Sequence, residues 1–283
     1  MKELRGLGTA LITPFKADKS VDYEALASLL DTQLTGSVDY IVVLGTTGEA
    51  ATMTEVEKRE VRTFIRKYVN GRLPLVLGVG GNNTAAVCET LKTIDLTGFE
   101  AILSVCPYYN KPNQEGLYQH FCAVAEASPI PVILYNVPGR TGVNLLPETV
   151  MRIYDAHPDK IAGIKEASGN VEQIKHLIDL AKDKLLVISG DDGIACEIME
   201  AGGAGLISVA SNAFPKDFYD IVHKKAQAKQ AQYDQMIKLL FKEGNPVGIK
   251  AVLAQKGIIQ NYLRLPLVPA SEELQEEIKK ELA

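Results

Sequence analysis

The feature that most constrains this chain is a rhythm of eight short runs rich in valine, isoleucine and leucine, separated by stretches of helical spacing. The runs are GTALITP (8–14), YIVVLG (40–45), LPLVLGVG (73–80), EAILSVC (100–106), PVILYN (131–136), IAGIK (161–165), LLVISG (185–190) and AGLISVAS (204–211). Their apolar character is nearly continuous rather than alternating, as in parallel strands buried on both faces. Between them, DYEALASLLDTQL, QEGLYQHFCAVAEA and VEQIKHLIDLAK repeat apolar residues at three- and four-residue intervals. TEVEKREVRTFIRKYV opens on Thr54 with Glu57 three residues on, the signature of a capping box. A repeat of roughly 20–34 residues suits one strand–helix unit. Eight such units predict a (β/α)8 TIM barrel.

A doubly wound sheet is the competing architecture, and it would want a dinucleotide fingerprint. GVGGNN (78–83) begins like one, but Asn83 stands where the third glycine belongs and no acid follows on the second strand. From Lys216 onward the sequence reads as helix: DFYDIVHKKAQAKQAQYDQMIKLLF, NPVGIKAVLAQKG and SEELQEEIKKEL. The expected organisation is therefore a barrel over 1–215 and a C-terminal helical extension over 216–283, with no Ser/Gly/Pro linker between them. The glycines of AGGAG (201–205) precede the eighth run, which points to close packing rather than phosphate binding.

Composition narrows the function. The 30 Lys and Arg residues against 35 acids leave a formal net charge of −5, which disfavours a nucleic-acid partner. The stretch MKELRGLGTALITPF is too short and glycine-rich for a secretory signal and reads as a strand. No run approaches the ~18 apolar residues of a membrane span. Cys88, Cys106, Cys122 and Cys196 are scattered without a C-x-x-C pair, as expected of reduced thiols in a cytoplasmic protein. His120, His157, His176 and His223 form no ligand spacing, which disfavours a metal-dependent aldolase.

In such a barrel the chemistry lies at the C-terminal ends of the strands. Those ends hold Thr46 and Thr47 after strand two, Tyr108 and Tyr109 after strand four, Tyr135 and then Arg140 at strand five, and Lys165 closing strand six. Gly190 follows strand seven, and Ile207 and Ser208 lie at strand eight. Lysine is rarely buried unless paired, and a dry, unpaired amine is a nucleophile toward carbonyls. A structural lysine paired with Glu166 or another barrel carboxylate reads equally well from position alone. Tyr135 fits a proton carrier beside an imine, or a core tyrosine bonded to backbone. GTTGE (45–49) turns between two glycines and can present consecutive N–H groups to a carboxylate, or it is simply a tight turn. Arg140 can clamp a carboxylate bidentately, although a lone loop arginine is usually solvated.

GTTGE, YYNKP, YNVPGRTG and GIKEASG, in this order on eight units, resemble the dihydrodipicolinate synthase family of pyruvate-dependent class I lyases. The resemblance runs over nearly the whole chain. It implies a condensation of pyruvate with aspartate semialdehyde on the path to diaminopimelate and lysine. Lys165 would form an imine with pyruvate, so no separate cofactor is expected. Tyr135 would carry protons through Thr46 to Tyr109, the last supplied by a neighbouring subunit of a homotetramer built as a dimer of dimers. Thr46 and Thr47 would hold pyruvate's carboxylate and Arg140 that of the semialdehyde, with the carbonyls of Gly190 and Ile207 facing the site. N-acetylneuraminate lyases and keto-deoxy sugar-acid aldolases share the lysine and tyrosine. The sialate enzymes differ at Thr46–Thr47, where they typically carry Ser-Thr, and lack the arginine of PGRTG.

Overall fold

All eight apolar runs form strands: β1 (Gly6–Ala10), β2 (Tyr40–Val43), β3 (Leu75–Gly78), β4 (Ala101–Val105), β5 (Val132–Asn136), β6 (Ile161–Glu166), β7 (Leu186–Ser189) and β8 (Gly205–Ser208). The computed structural model describes residues 4–283, so the first three residues of the N-terminal stretch lie outside the described residues. Its strands close in sequence order into one barrel. Neighbours run parallel, with Tyr135 of β5 opposite Lys165 of β6, and Lys165 opposite Ile188 of β7. Every residue of β1, β2 and β5 to β8 is buried, which is why the runs show no polar alternation.

The first strand is shorter than its apolar run. Leu11 N still donates to Val42 O at 3.0 Å, but β1 ends at Ala10, and Pro14 further on has no N–H to offer. Helices Tyr23–Thr35, Glu55–Val69, Thr84–Thr93, Gln114–Ala127, Pro147–Ala156, Val171–Ala181, Ala195–Glu200 and Pro215–Lys224 follow the strands. Side chains of Asp22, Asn83, Asn113 and Asn170 cap four of them, and Thr54 with Glu57 completes the expected capping box. Each cap satisfies an orphan N–H and contributes about 1 kcal/mol. The long helical stretch expected near 217–241 is broken into Pro215–Lys224, Gln227–Gln232 and Asp234–Lys242. Lys225 causes the first break by adopting a left-handed φ of 50°. Helices Val247–Gln255 and Glu272–Leu282 complete the C-terminal region.

The chain packs as two compact units, one of residues up to Gly6 with 74–207 and one of residues 7–73 with 208–283. Ile133, Leu134, Ile164, Phe121 and Ile174 are fully buried in the first; Phe15, Leu26, Leu30, Phe218 and Val252 are fully buried in the second. Side chains of this size contribute about 1.5–3 kcal/mol each on burial. In the first unit, a Cβ on Gly203 would meet Ile198 Cγ2 at 2.7 Å and one on Gly205 would meet Gly6 O at 2.1 Å. Close packing accounts for Gly203 and Gly205 of AGGAG.

Candidate active site

Strand alternation sends the adjacent side chains of Lys165 and Glu166 to opposite faces of β6. Lys165 is only 6% exposed, and among the described residues its ammonium has no carboxylate or hydrogen-bond partner. Its Nζ stands 4.5 Å from the ring centroid of Tyr135, itself buried. An ammonium over a phenol face gains about 0.5–2 kcal/mol, far less than a buried carboxylate would supply. The amine is buried and uncommitted.

Pairing of Lys165 with Glu166, the alternative left open by the sequence, fails on this geometry. Glu166 is fully buried and accepts from Asn136 Nδ2 at 2.9 Å, Ser168 N at 2.7 Å and Gln173 Nε2 at 3.3 Å. Burial holds its carboxyl above the ordinary range, against the pull of those donors. Asn136 extends the network: its Nδ2 also donates to Asn144 Oδ1 at 2.8 Å, and its Oδ1 accepts from Leu145 N at 2.9 Å. Asn144 in turn donates to Gln173 Oε1 at 2.7 Å. The loop that leaves β5 is thereby tied back to β6. Arg140 rides on that loop, in the single helical turn Pro138–Thr141, with its side chain exposed.

Gly190, directly after β7, makes room for the lysine. Its N donates to Glu166 O at 2.7 Å, and a Cβ there would lie 2.9 Å from Lys165 Cε and 2.6 Å from Ala167 Cβ. Ile207 is fully buried in β8. Tyr135, Lys165 and Gly190 are thus gathered at the ends of three adjacent strands. Tyr109, after β4, stands apart from them: it is 89% exposed, more than any other large hydrophobic side chain among the described residues, on a left-handed backbone with φ of 74°.

In the second unit, GTTGE leaves β2 as a 3-10 turn over Thr46–Gly48. Gly48 N donates to Gly45 O and Glu49 N to Thr46 O, each at 3.1 Å, while the N–H groups of Thr46 and Thr47 find no acceptor among the described residues. Two consecutive free N–H groups beside two hydroxyls suit an anionic oxygen pair. Thr46 is exposed, and Thr47 is buried with its Oγ1 accepting from Asn245 Nδ2 at 2.9 Å. Glu49 closes the turn in a left-handed conformation, φ 54° and ψ 32°.

Residues 3–283 match the family model described as the dihydrodipicolinate synthetase family. The chain belongs to the dihydrodipicolinate synthetase family. The curated 4-hydroxy-tetrahydrodipicolinate synthase of Parabacteroides distasonis is 49% identical over 286 residues, covering 99% of this chain and 96% of the relative. That of Flavobacterium psychrophilum is 51% identical over 281 residues, covering 97% and 96%. Among solved structures, the chloride-inhibited dihydrodipicolinate synthase of Acinetobacter baumannii complexed with pyruvate matches with a TM-score of 0.95. It is 39% identical, and the match covers 99% of this chain and 98% of that one.

For this member of the dihydrodipicolinate synthetase family, strand-end reasoning names Lys165, Tyr135, Gly190 and Thr47 but misses the residues that build the Glu166 network and that brace the GTTGE turn. Asn136, Asn144, Gln173, Asn245 and Lys250 carry no spacing signature, since a lone amide in a strand or loop has many uses. One signal existed for Lys250: it interrupts an otherwise apolar helical run, VGIKAVLA. All four cysteines are free thiols. Among the described residues, no His, Cys, Asp and Glu side chains group to hold a metal ion, and no helix is long and apolar enough to cross a membrane.

Proposed function

We propose that the chain condenses pyruvate with L-aspartate-4-semialdehyde to give 4-hydroxy-tetrahydrodipicolinate, the lyase step leading toward diaminopimelate and lysine. The observation that carries this reading is the buried Lys165 amine, with no acid beside it, over the ring of Tyr135. Lys165 Nζ adds to the C2 carbonyl of pyruvate, and the carbinolamine loses water to form the imine. The protonated imine draws electron density from C3, a proton leaves C3, and the enamine forms. C3 then bonds to the aldehyde carbon of the semialdehyde, whose oxygen takes up a proton. The semialdehyde's own amine attacks C2, displaces Lys165 and closes the ring. The imine is the electron sink throughout, so the chemistry calls for no cofactor.

Tyr135 moves these protons, with Thr46 and Tyr109 as further members of the relay. Thr46 and Thr47 hold pyruvate's carboxylate; the two free N–H groups of the turn support that role. Arg140 binds the carboxylate of the semialdehyde bidentately, and the carbonyls of Gly190 and Ile207 face the reacting atoms. The exposure of Tyr109 supports a site completed by a neighbouring subunit, in a homotetramer assembled as a dimer of dimers. The working division of the chain is the barrel over 1–215 and the helical region over 216–283. Four free thiols are consistent with a cytoplasmic location.

The test is a substrate comparison. Purified protein given pyruvate and the semialdehyde is expected to consume both one for one and to form the cyclic product, read by mass spectrometry. Cleavage of N-acetylneuraminate without condensation activity would transfer the chain to the sialate branch of these lyases.

A further inference from the structure

Behind the GTTGE turn, within the second unit, lies a buried polar cluster that the reaction steps leave unused. Glu49, 3% exposed, forms an ion pair with Lys250, which is fully buried. Lys250 Nζ also donates to Tyr262 O at 3.1 Å and stands 4.2 Å from the Phe15 ring centroid. The other oxygen of Glu49 accepts from Arg264 N at 3.1 Å. The Arg264 side chain binds Thr52 O at 3.2 Å and Glu57 Oε2 at 3.0 Å, downstream of the same turn. From β1, Thr13 Oγ1 donates to Gly48 O at 2.8 Å only a few residues past the strand's end.

The remaining contact sets polarity as well as position. A hydroxyl has one proton and two lone pairs. Asn245 Nδ2 occupies a lone pair of Thr47 Oγ1 at 2.9 Å, so the Thr47 proton is left to donate. With the two free N–H groups of the same turn, that proton brings the donors available to one anion to three. Glu49 meanwhile holds a left-handed backbone that a residue with a Cβ adopts reluctantly, and its partners lie in the C-terminal segment.

We propose that the segment from Asn245 to Arg264 is part of the pyruvate site, with Asn245 and Lys250 as positioning residues for the carboxylate nest at Thr46 and Thr47. Asn245 orients the Thr47 hydroxyl, and Lys250, through Glu49, fixes the curvature of the turn. Neither touches the substrate. The inference rests on the assignment of that nest to pyruvate, made above.

The test compares wild-type enzyme with Asn245→Ala and with the charge-neutral double variant Glu49→Gln/Lys250→Met. KM for pyruvate, KM for the semialdehyde, kcat and thermal midpoint are measured for each. Both variants are expected to raise the pyruvate KM about tenfold or more, to leave the semialdehyde KM within about twofold, and to keep borohydride trapping at saturating pyruvate. Asn245→Ala leaves both charges in place, so it gives the same reading should the double variant fail to fold. A lowered thermal midpoint with an unchanged pyruvate KM would overturn the inference and leave a purely structural cluster. Wild-type enzyme that traps no pyruvate would instead overturn the functional reading beneath it.

Discussion

Two lysines are buried among the described residues, and their surroundings separate their roles. Lys250 has Glu49 as an ion-pair partner, a carbonyl and an aromatic ring around it. Desolvation brings its pKa down to about 8, with the Glu49 carboxylate opposing that shift. Lys165 has the ring of Tyr135 and no acid. A carbonyl substrate must react with an amine that is not already held by a carboxylate, which singles out Lys165. Space matters as much as charge at that residue. Gly190→Ala would push a methyl carbon against Lys165 Cε and Ala167 Cβ. Overpacking of this kind costs about 1–3 kcal/mol, so kcat is expected to fall roughly 10- to 100-fold with the fold retained. Wild-type kcat in a folded Gly190→Ala enzyme would show that the lysine stem does not depend on that gap. Lys165 and Tyr135 were legible in the sequence because each interrupts or ends an apolar run. Whether Lys165 was paired was not legible, since that depends on which face of β6 its neighbour Glu166 takes.

Strands β5 and β6 and the loop between Asn136 and Leu145 are tied into one network. Parallel pairing sets Tyr135 against Lys165, and the next pair, Asn136 and Glu166, ties the same strands together on the other face. Glu166→Ala removes the acceptor for Asn136, Ser168 and Gln173, leaving buried donors at about 1–3 kcal/mol each. The expected outcome is a loss of about 2–5 kcal/mol in stability and a raised KM for the semialdehyde, because the Arg140 loop loses its anchor. A variant with unchanged denaturation and unchanged KM would remove the network from the account. Titration adds a signed expectation. The folded Glu166 carboxyl is raised by burial above its unfolded value, so it contributes stability below the ordinary value of 4.5, lost as pH rises through the folded value. Glu166→Gln, which cannot titrate, lacks that part of the pH slope. Elements themselves were easy to read, down to the capping box at Thr54, because periodicity and caps are local. The loop network was not, because its amides become partners only when β5 and β6 lie side by side.

Across the whole molecule, the eightfold rhythm predicts the closed parallel barrel, since strands buried on both faces must be apolar throughout. The partition into two compact units had no such signal: the second unit joins residues 7–73 to 208–283, far apart in the chain. One residue faces away from the chain's own interior. Tyr109 is 89% exposed on a left-handed backbone. If a neighbour receives it, a Tyr109→Phe enzyme mixed with Lys165→Ala is expected to regain activity, because exchanged dimers hold one intact site. Absence of rescue after demonstrated subunit exchange would argue for a site built within one chain.

The proposed reaction depends on Lys165 as the imine-forming amine. Borohydride reduction in the presence of pyruvate, followed by peptide mass mapping, tests it most directly. The expected result is a single pyruvate-derived adduct on the peptide carrying Lys165, with matching loss of activity. An adduct on Lys250 or any other lysine, or no adduct at all, would contradict it.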